Sequence, residues 1–228
     1  MNEIFFENHA IVVPGDKLAT GHFKYGSGVV RQENNYYATV VGLFRDRGDY
    51  ISVKSLKGKY LPRAGDLVIG LVIDVGLTNW ILDIGSPYVG VLTSMNAVTK
   101  RFDPIMADAR KIFDVGDIVL AKIIAFDRTK DPNLSTKERG LGKLKGGRVI
   151  EIEAAHIPRV IGKKGSMINM IKRLTRCQII TGQNGRIWVQ GKKIQDELRA
   201  IEAIKKIERE AHTQNLTNRI NDFLNSKR

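Results

Sequence analysis

The run Val160-Ile161-Gly162-Lys163-Lys164-Gly165-Ser166-Met167-Ile168 leaves this part of the chain few folds to choose from. Two glycines bracket two lysines, with apolar residues before and after. Glycine reaches backbone angles that side chains forbid and lets the chain come close to a ligand. A helix opening at Ser166 points its unpaired N–H groups and positive dipole end at the same corner. The lysines at the tip add compact positive charge. Such a corner suits the backbone of a nucleic acid. Two glycines at this spacing also occur in turns that bind nothing, but two basic tip residues weigh against that bland reading.

The flanks complete a unit. Val149 to Glu153 alternates like a strand. His156 to Ile161 reads as a short helical turn. From Ser166 to Arg176, Met167, Ile168, Ile171 and Leu174 recur at the helix period. Cys177 to Ile180 and Ile187 to Val189 read as strands joined by the turn Gly182-Gln183-Asn184-Gly185. Lys192 to Ala211 carries Ile194, Leu198, Ile201, Ile204 and Ile207 on one helical face. This order resembles the KH family over roughly residues 146–211. The resemblance implies a GXXG loop that grips about four nucleotides. The RNA-binding set expected there is Arg159, Gly162, Lys163, Lys164, Gly165, Ser166, Lys172 and Arg173.

Charge supports the same place. The 228 residues hold 37 basic and 24 acidic side chains, a net +13, which favours an anionic partner. Residues 137–176 hold eleven Lys or Arg against three Glu, net +8; residues 65–127 hold five basic residues against eight Asp, net −3. The attraction to phosphates is therefore strongest at the KH unit and the segment leading into it. No apolar run reaches membrane-span length, so no membrane partner is expected. The start, Met1-Asn2-Glu3-Ile4, lacks the pattern of a secretion signal. The one cysteine, Cys177, lies in a strand pattern and reads as a small buried residue. A reducing cytoplasm fits.

A phrase recurs along the chain: Pro14-Gly15-Asp16-Lys17-Leu18, Ala64-Gly65-Asp66-Leu67-Val68 and Val115-Gly116-Asp117-Ile118-Val119. Each is turn chemistry followed by a strand. Residues 1–62 read as an all-β N-terminal domain, with Tyr36 to Phe44 and Asp49 to Val53 β-rich around the turn Arg45-Asp46-Arg47-Gly48. Residues 63–127 suggest a five-strand barrel: Leu67 to Asp74, Asn79 to Ile84, Tyr88 to Leu92, a helical region Asp103 to Ile112, then Ile118 to Phe126. This segment resembles the OB-fold barrel repeated in ribosomal protein S-one. The resembling residues are Gly65, Asp66, Val68, Gly70 and Val72, then Gly90-Val91-Leu92, then Val115, Gly116, Asp117 and Val119. OB-folds bind single strands with stacked bases and basic side chains. Trp80, Tyr88 and Lys122 are the candidates here. The aromatic platform is thin, and core packing is an equal reading of Trp80. Residues 128–145 read as a polar linker or basic arm, and 212–228 as a C-terminal tail with Leu216, Ile220 and Leu224 at helical spacing.

An active site is not expected. His9, His22, His156 and His212 show no metal-ligand spacing with each other or with Cys177. Neither a phosphate loop nor a nucleophile elbow is present. Asp74 with Asp83, and Asp114 with Asp117, flank strands or turns where Asp commonly caps. No cofactor or metal is implied. The fold class expected is thus multidomain: an all-β domain, an OB barrel, then an α+β KH domain. Over residues 5–210 this order, with Val12-Val13-Pro14-Gly15-Asp16 near the start, resembles the archaeal exosome cap subunit of the KH-containing type. That resemblance implies a cap of three subunits on a hexameric ring of RNase PH-like proteins, beside other cap subunits. It further implies docking through the N-terminal domain, barrels around the pore, an adenine-rich preference and phosphorolysis left to the ring. The alternative is a free-standing transcription elongation factor of the NusA type, although that family carries two KH units. A nuclease would need a catalytic domain that is not seen.

Overall fold

In the computed structural model, residues 2–56, 58–97, 109–211, 213 and 215–226 are described. The chain divides into two compact units, 1–58 and 59–228. The first is all-β. Its strands are β1 (Glu3–Ile4), β2 (Ile11–Val12), β3 (Lys17–Thr20), β4 (Lys24–Tyr25), β5 (Val29–Gln32), β6 (Asn35–Ala38), β7 (Gly42–Asp46) and β8 (Tyr50–Ser55). They form two four-stranded sheets, β1-β3-β6-β5 and β2-β7-β8-β4, around Leu18, Tyr36, Phe44, Ile51 and Val53. The β-rich run from Tyr36 to Phe44 is split between the two sheets. Only the inward parity of each strand is apolar enough to be buried, and the chain changes sheet after Ala38.

The second unit joins a barrel to a KH domain. The barrel strands are β9 (Leu67–Val75), β10 (Asn79–Asp83), β11 (Val89–Thr93), β12 (Ile118–Asp127) and β13 (Lys130–Ser135). The order β13-β11-β10-β9-β12 closes on itself through β12–β13 pairing. The interior is filled by alternate residues such as Val68, Val72, Leu82, Leu92, Ile123 and Leu134. The fifth strand lies in the segment expected to be a linker, which is a correction. Lys130-Asp131-Pro132-Asn133-Leu134-Ser135 shows little alternation, and it is a strand because Pro132 and Leu134 turn inward while β11 and β12 supply backbone partners. A short strand β14 (Gly142–Lys143) then pairs with β12. A helical turn α1 (Ser94–Ala97) follows β11. Of the helical region expected at Asp103–Ile112, residues 103–108 lie outside the described residues, and Ala109–Lys111 form a 3-10 turn.

The recurring Gly-Asp phrase is one turn used three times. Gly15, Gly65 and Gly116 have φ of 96°, 94° and 91°, which a side chain would resist. In each, the Asp N–H donates to a carbonyl three residues back, and the strand β3, β9 or β12 follows at once.

The KH domain runs β15 (Arg148–Glu151), α2 (Ile157–Ile161), α3 (Ser166–Thr175), β16 (Gln178–Thr181), β17 (Arg186–Gln190) and α4 (Ile194–Arg209). Its sheet order is β15-β17-β16. One sheet face packs on the helices through Ile179, Ile187 and Val189. The other packs on the barrel wall: Trp188 meets Ile69 and Leu120, with Val149, Ile180 and Leu144 around them. Polar groups lock this seam. The Asn184 carboxamide accepts from Ile69 N–H and donates to the Ile69 and Ile84 carbonyls at 2.9–3.2 Å. Arg186 bridges Asp83 of the barrel at 2.6 Å and Glu151 at 2.7 Å. The tail, with its apolar residues at helical spacing, is a separate helix α5 (Leu216–Ser226) that buries Leu216, Ile220 and Leu224 against α3 and α4. Asn215, just before it, is in the left-handed region with φ 57°.

Candidate nucleic-acid interface

The GXXG corner is built from three residues in the left-handed region: Gly162 (φ 73°), Lys164 (φ 52°) and Gly165 (φ 78°). A Cβ on Gly162 would lie 2.7 Å from Met167 Cβ and 2.9 Å from Met167 N, so the close approach to α3 requires glycine. Lys164 is held left-handed at a cost on the order of 1 kcal/mol, and strain of this kind gathers at binding sites. The Gly162 N–H donates to the Pro158 carbonyl and ends α2. No side chain caps α3; the Ser166 N–H donates to the Lys163 carbonyl of the loop, and the helix start faces the loop without a side-chain cap. Lys163, Lys164, Arg159 and Ser166 are exposed around this corner, and Met167, Ile168 and Ile171 anchor it from below. The arrangement offers backbone donors, two tip ammonium groups and a guanidinium to one phosphate run.

Two depressions adjoin the loop. A smaller apolar slot of about 310 Å³ is lined by Ala154, Ile157, Pro158, Ile161, Gly162 and Gln183. Gln183 is itself tied to Leu67 of the barrel by two hydrogen bonds of 2.8 and 2.9 Å. A larger, more polar cleft of about 750 Å³ lies between the loop and the start of α5.

The structure brings together Arg159, Gly162, Lys163 and Ser166, with Lys164 and Gly165 completing the tip. Lys172 and Arg173 sit in the last turn of α3, a rise of about 9–11 Å from Ser166, so they flank the corner rather than belong to it. The barrel candidates part from it. Trp80 is fully buried, packs edge-on against Phe113 at 5.6 Å and donates its indole N–H to the Phe113 carbonyl at 2.8 Å. It has no face for a base, because its strand parity turns it into the barrel. The outward residues of β10 and β11 are Asn79, Ile81, Asp83, Val89, Val91 and Thr93, none aromatic. Tyr88 is half-buried, with its ring against Phe126 at 5.0 Å and its hydroxyl donating to the Arg128 carbonyl. Lys122 is paired with Glu138 at 2.5 Å.

The carboxylates are occupied by turns and the seam. Asp74 accepts from Val75 N–H, and Asp117 from Asp114 N–H and from Lys143. Burial pushes the Asp83 carboxyl up, but hydrogen bonds from Arg186 and Gly85 and the Arg186 charge outweigh it and hold it below the ordinary carboxylate value. Among the described residues, no group of three or more His, Cys, Asp or Glu is placed to hold a metal, and no helix is long and apolar enough to cross a membrane. The seam residues Asn184, Arg186 and Trp188 escaped the sequence reading. Their signal was the unbroken apolar run Ile187-Trp188-Val189, which marks a strand covered on both faces.

Residues 9–57 match the family model described as the exosome RNA binding protein RRP4 N-terminal domain, and residues 147–195 match that of the KH domain. The exosome complex component Rrp4 of Thermococcus kodakarensis is 48% identical over 229 residues, covering 100% of this chain and 89% of the relative. That of Pyrococcus furiosus is 46% identical over 229 residues, covering 100% and 87%. This chain belongs to the Rrp4 family. A crystal structure assigned to an exosome complex RNA-binding protein superposes with a TM-score of 0.70 at 42% identity, covering 75% of this chain and 97% of the other. The Rrp4 family model ends at residue 57, beside the boundary between the compact units at Gly58.

Proposed function

We propose that this chain is a non-catalytic cap subunit of the archaeal exosome that captures RNA at its KH corner. It then guides the 3′ end into a ring of RNase PH-like subunits, which performs 3′-to-5′ phosphorolysis. The observation that carries the reading is the exposed GXXG corner: an uncapped helix start, two left-handed glycines and three cations, on a chain aligned along its whole length with Rrp4 relatives. The barrel has no aromatic outer face on β10 and β11, so it serves as a wall past which RNA slides rather than as a trap. A preference for adenine-rich tails, a cytoplasmic setting and a cap shared with other subunits belong to the same reading.

The N-terminal unit is the docking piece. On the outer face of its second sheet, Val13, Val41 and Leu56 form a row across the strands, and Ile11 lies beside them in register with Leu43. These four are 38–66% exposed. An apolar sheet face of this kind marks an interaction site, and a ring subunit is the occupant this reading supplies.

Light scattering on the chain mixed with an archaeal RNase PH-like hexamer tests it. A stable complex with about three chains per ring is expected. Absence of association would overturn the cap assignment and leave a free-standing RNA-binding protein.

A further inference from the structure

The larger cleft has walls of different origin. One wall is the GXXG side, with Arg159, Lys163 and Ser166; the other is the start of α5, with Asn215, Thr217 and Asn218. None of its described lining residues is acidic. The second wall is firmly held. Leu216, Ile220 and Leu224 are buried, Arg219 pairs with Glu210 at 3.1 Å, and Arg199 donates to the Leu224 carbonyl at 2.5 Å. Thr217 and Asn218 are themselves exposed, so their polar groups stand free to meet a ligand across from the cations.

We infer that α5 is the second wall of the RNA site: the cleft holds the nucleotide adjoining the one on the GXXG loop. Its phosphate lies toward Arg159 and Lys163, and its ribose hydroxyls and base edge lie toward Thr217, Asn218 and Asn215. Two features select single-stranded RNA over other occupants. The cationic wall is continuous with the GXXG loop, so a strand gripped there runs directly into the cleft. The opposite wall is uncharged, with groups that donate and accept, which matches a 2′-hydroxyl and base edges better than a second phosphate. The inference rests on the RNA-binding reading of the corner.

The test uses the full chain, a single-stranded RNA 12-mer and the matching DNA, with affinity read by fluorescence anisotropy across a salt series. T217A/N218A is expected to weaken RNA binding about five-fold, the loss of one or two hydrogen bonds, with an unchanged salt slope because no charge is removed. DNA binding should change less. N218E, which sets a carboxylate opposite the phosphate, should weaken RNA binding about ten-fold or more. Both positions are exposed, so circular dichroism should show the parent fold. Parent-like RNA affinity in both α5 variants, with weakening in K163D/K164D, would overturn the second wall and leave the corner standing. Parent-like affinity in all three would sink the RNA reading of the corner as well.

Discussion

On the proposed reading Lys163 and Lys164 carry the phosphate grip, so their removal has a distinctive signature. K163D/K164D should weaken RNA binding for every sequence alike and reduce the salt slope by about 1.4 or more, from two lost phosphate contacts at about 0.7 each for single strands. A salt titration checks both. Trp80 makes the opposite case. The sequence admits both base platform and core for it, since an aromatic in a strand serves either. The parity of β10 decides it: Trp80 is inward and fully buried. W80A should therefore destabilise the barrel by about 3–5 kcal/mol, seen in denaturant unfolding. W80F should leave RNA affinity at the parent value. The glycines were legible from the start because the conformation is local: Gly162, at φ 73° and ψ 175°, lies where side chains are strongly disfavoured.

At the scale of elements, the turn Gly182–Gly185 is consumed by the barrel. Asn184 is buried and makes three hydrogen bonds to β9 and to the residue after β10. N184A would strand the Ile69 N–H and two carbonyls, so a loss of about 2–4 kcal/mol is expected. Hydrogen exchange would show it as faster exchange at Ile69 and along β16 and β17. A loop fixed in this way cannot swing over a bound strand, which on the proposed RNA-binding reading leaves recognition to the GXXG side. Periodicity announced α3 and α4, whose apolar faces repeat cleanly. It missed β13, a strand with two inward residues, because only pairing with β11 and β12 defines it.

For the molecule as a whole, residues 59–228 form one compact unit in which barrel and KH domain share the Trp188 cluster and the Arg186 bridge. That fragment should fold alone and keep its RNA affinity within about two-fold, yet fail to join the RNase PH-like ring. Calorimetry, anisotropy and light scattering read the three outcomes. A fragment that still joins the ring would refute docking through the N-terminal unit.

The sequence by itself determined the features that depend on neighbours along the chain: the GXXG corner, the Gly-Asp turns, the periodic helices, the charge that gathers around the corner and the family order of domains. These follow from backbone sterics, side-chain period and charge, which act over a few residues. Only the tertiary structure decided which face of Trp80 is used, that 130–135 closes the barrel, that the KH sheet is covered by the barrel and that α5 turns back beside the corner. Each of these depends on burial shared between segments some 30 to more than 100 residues apart, and no local pattern records which segment a buried face will meet.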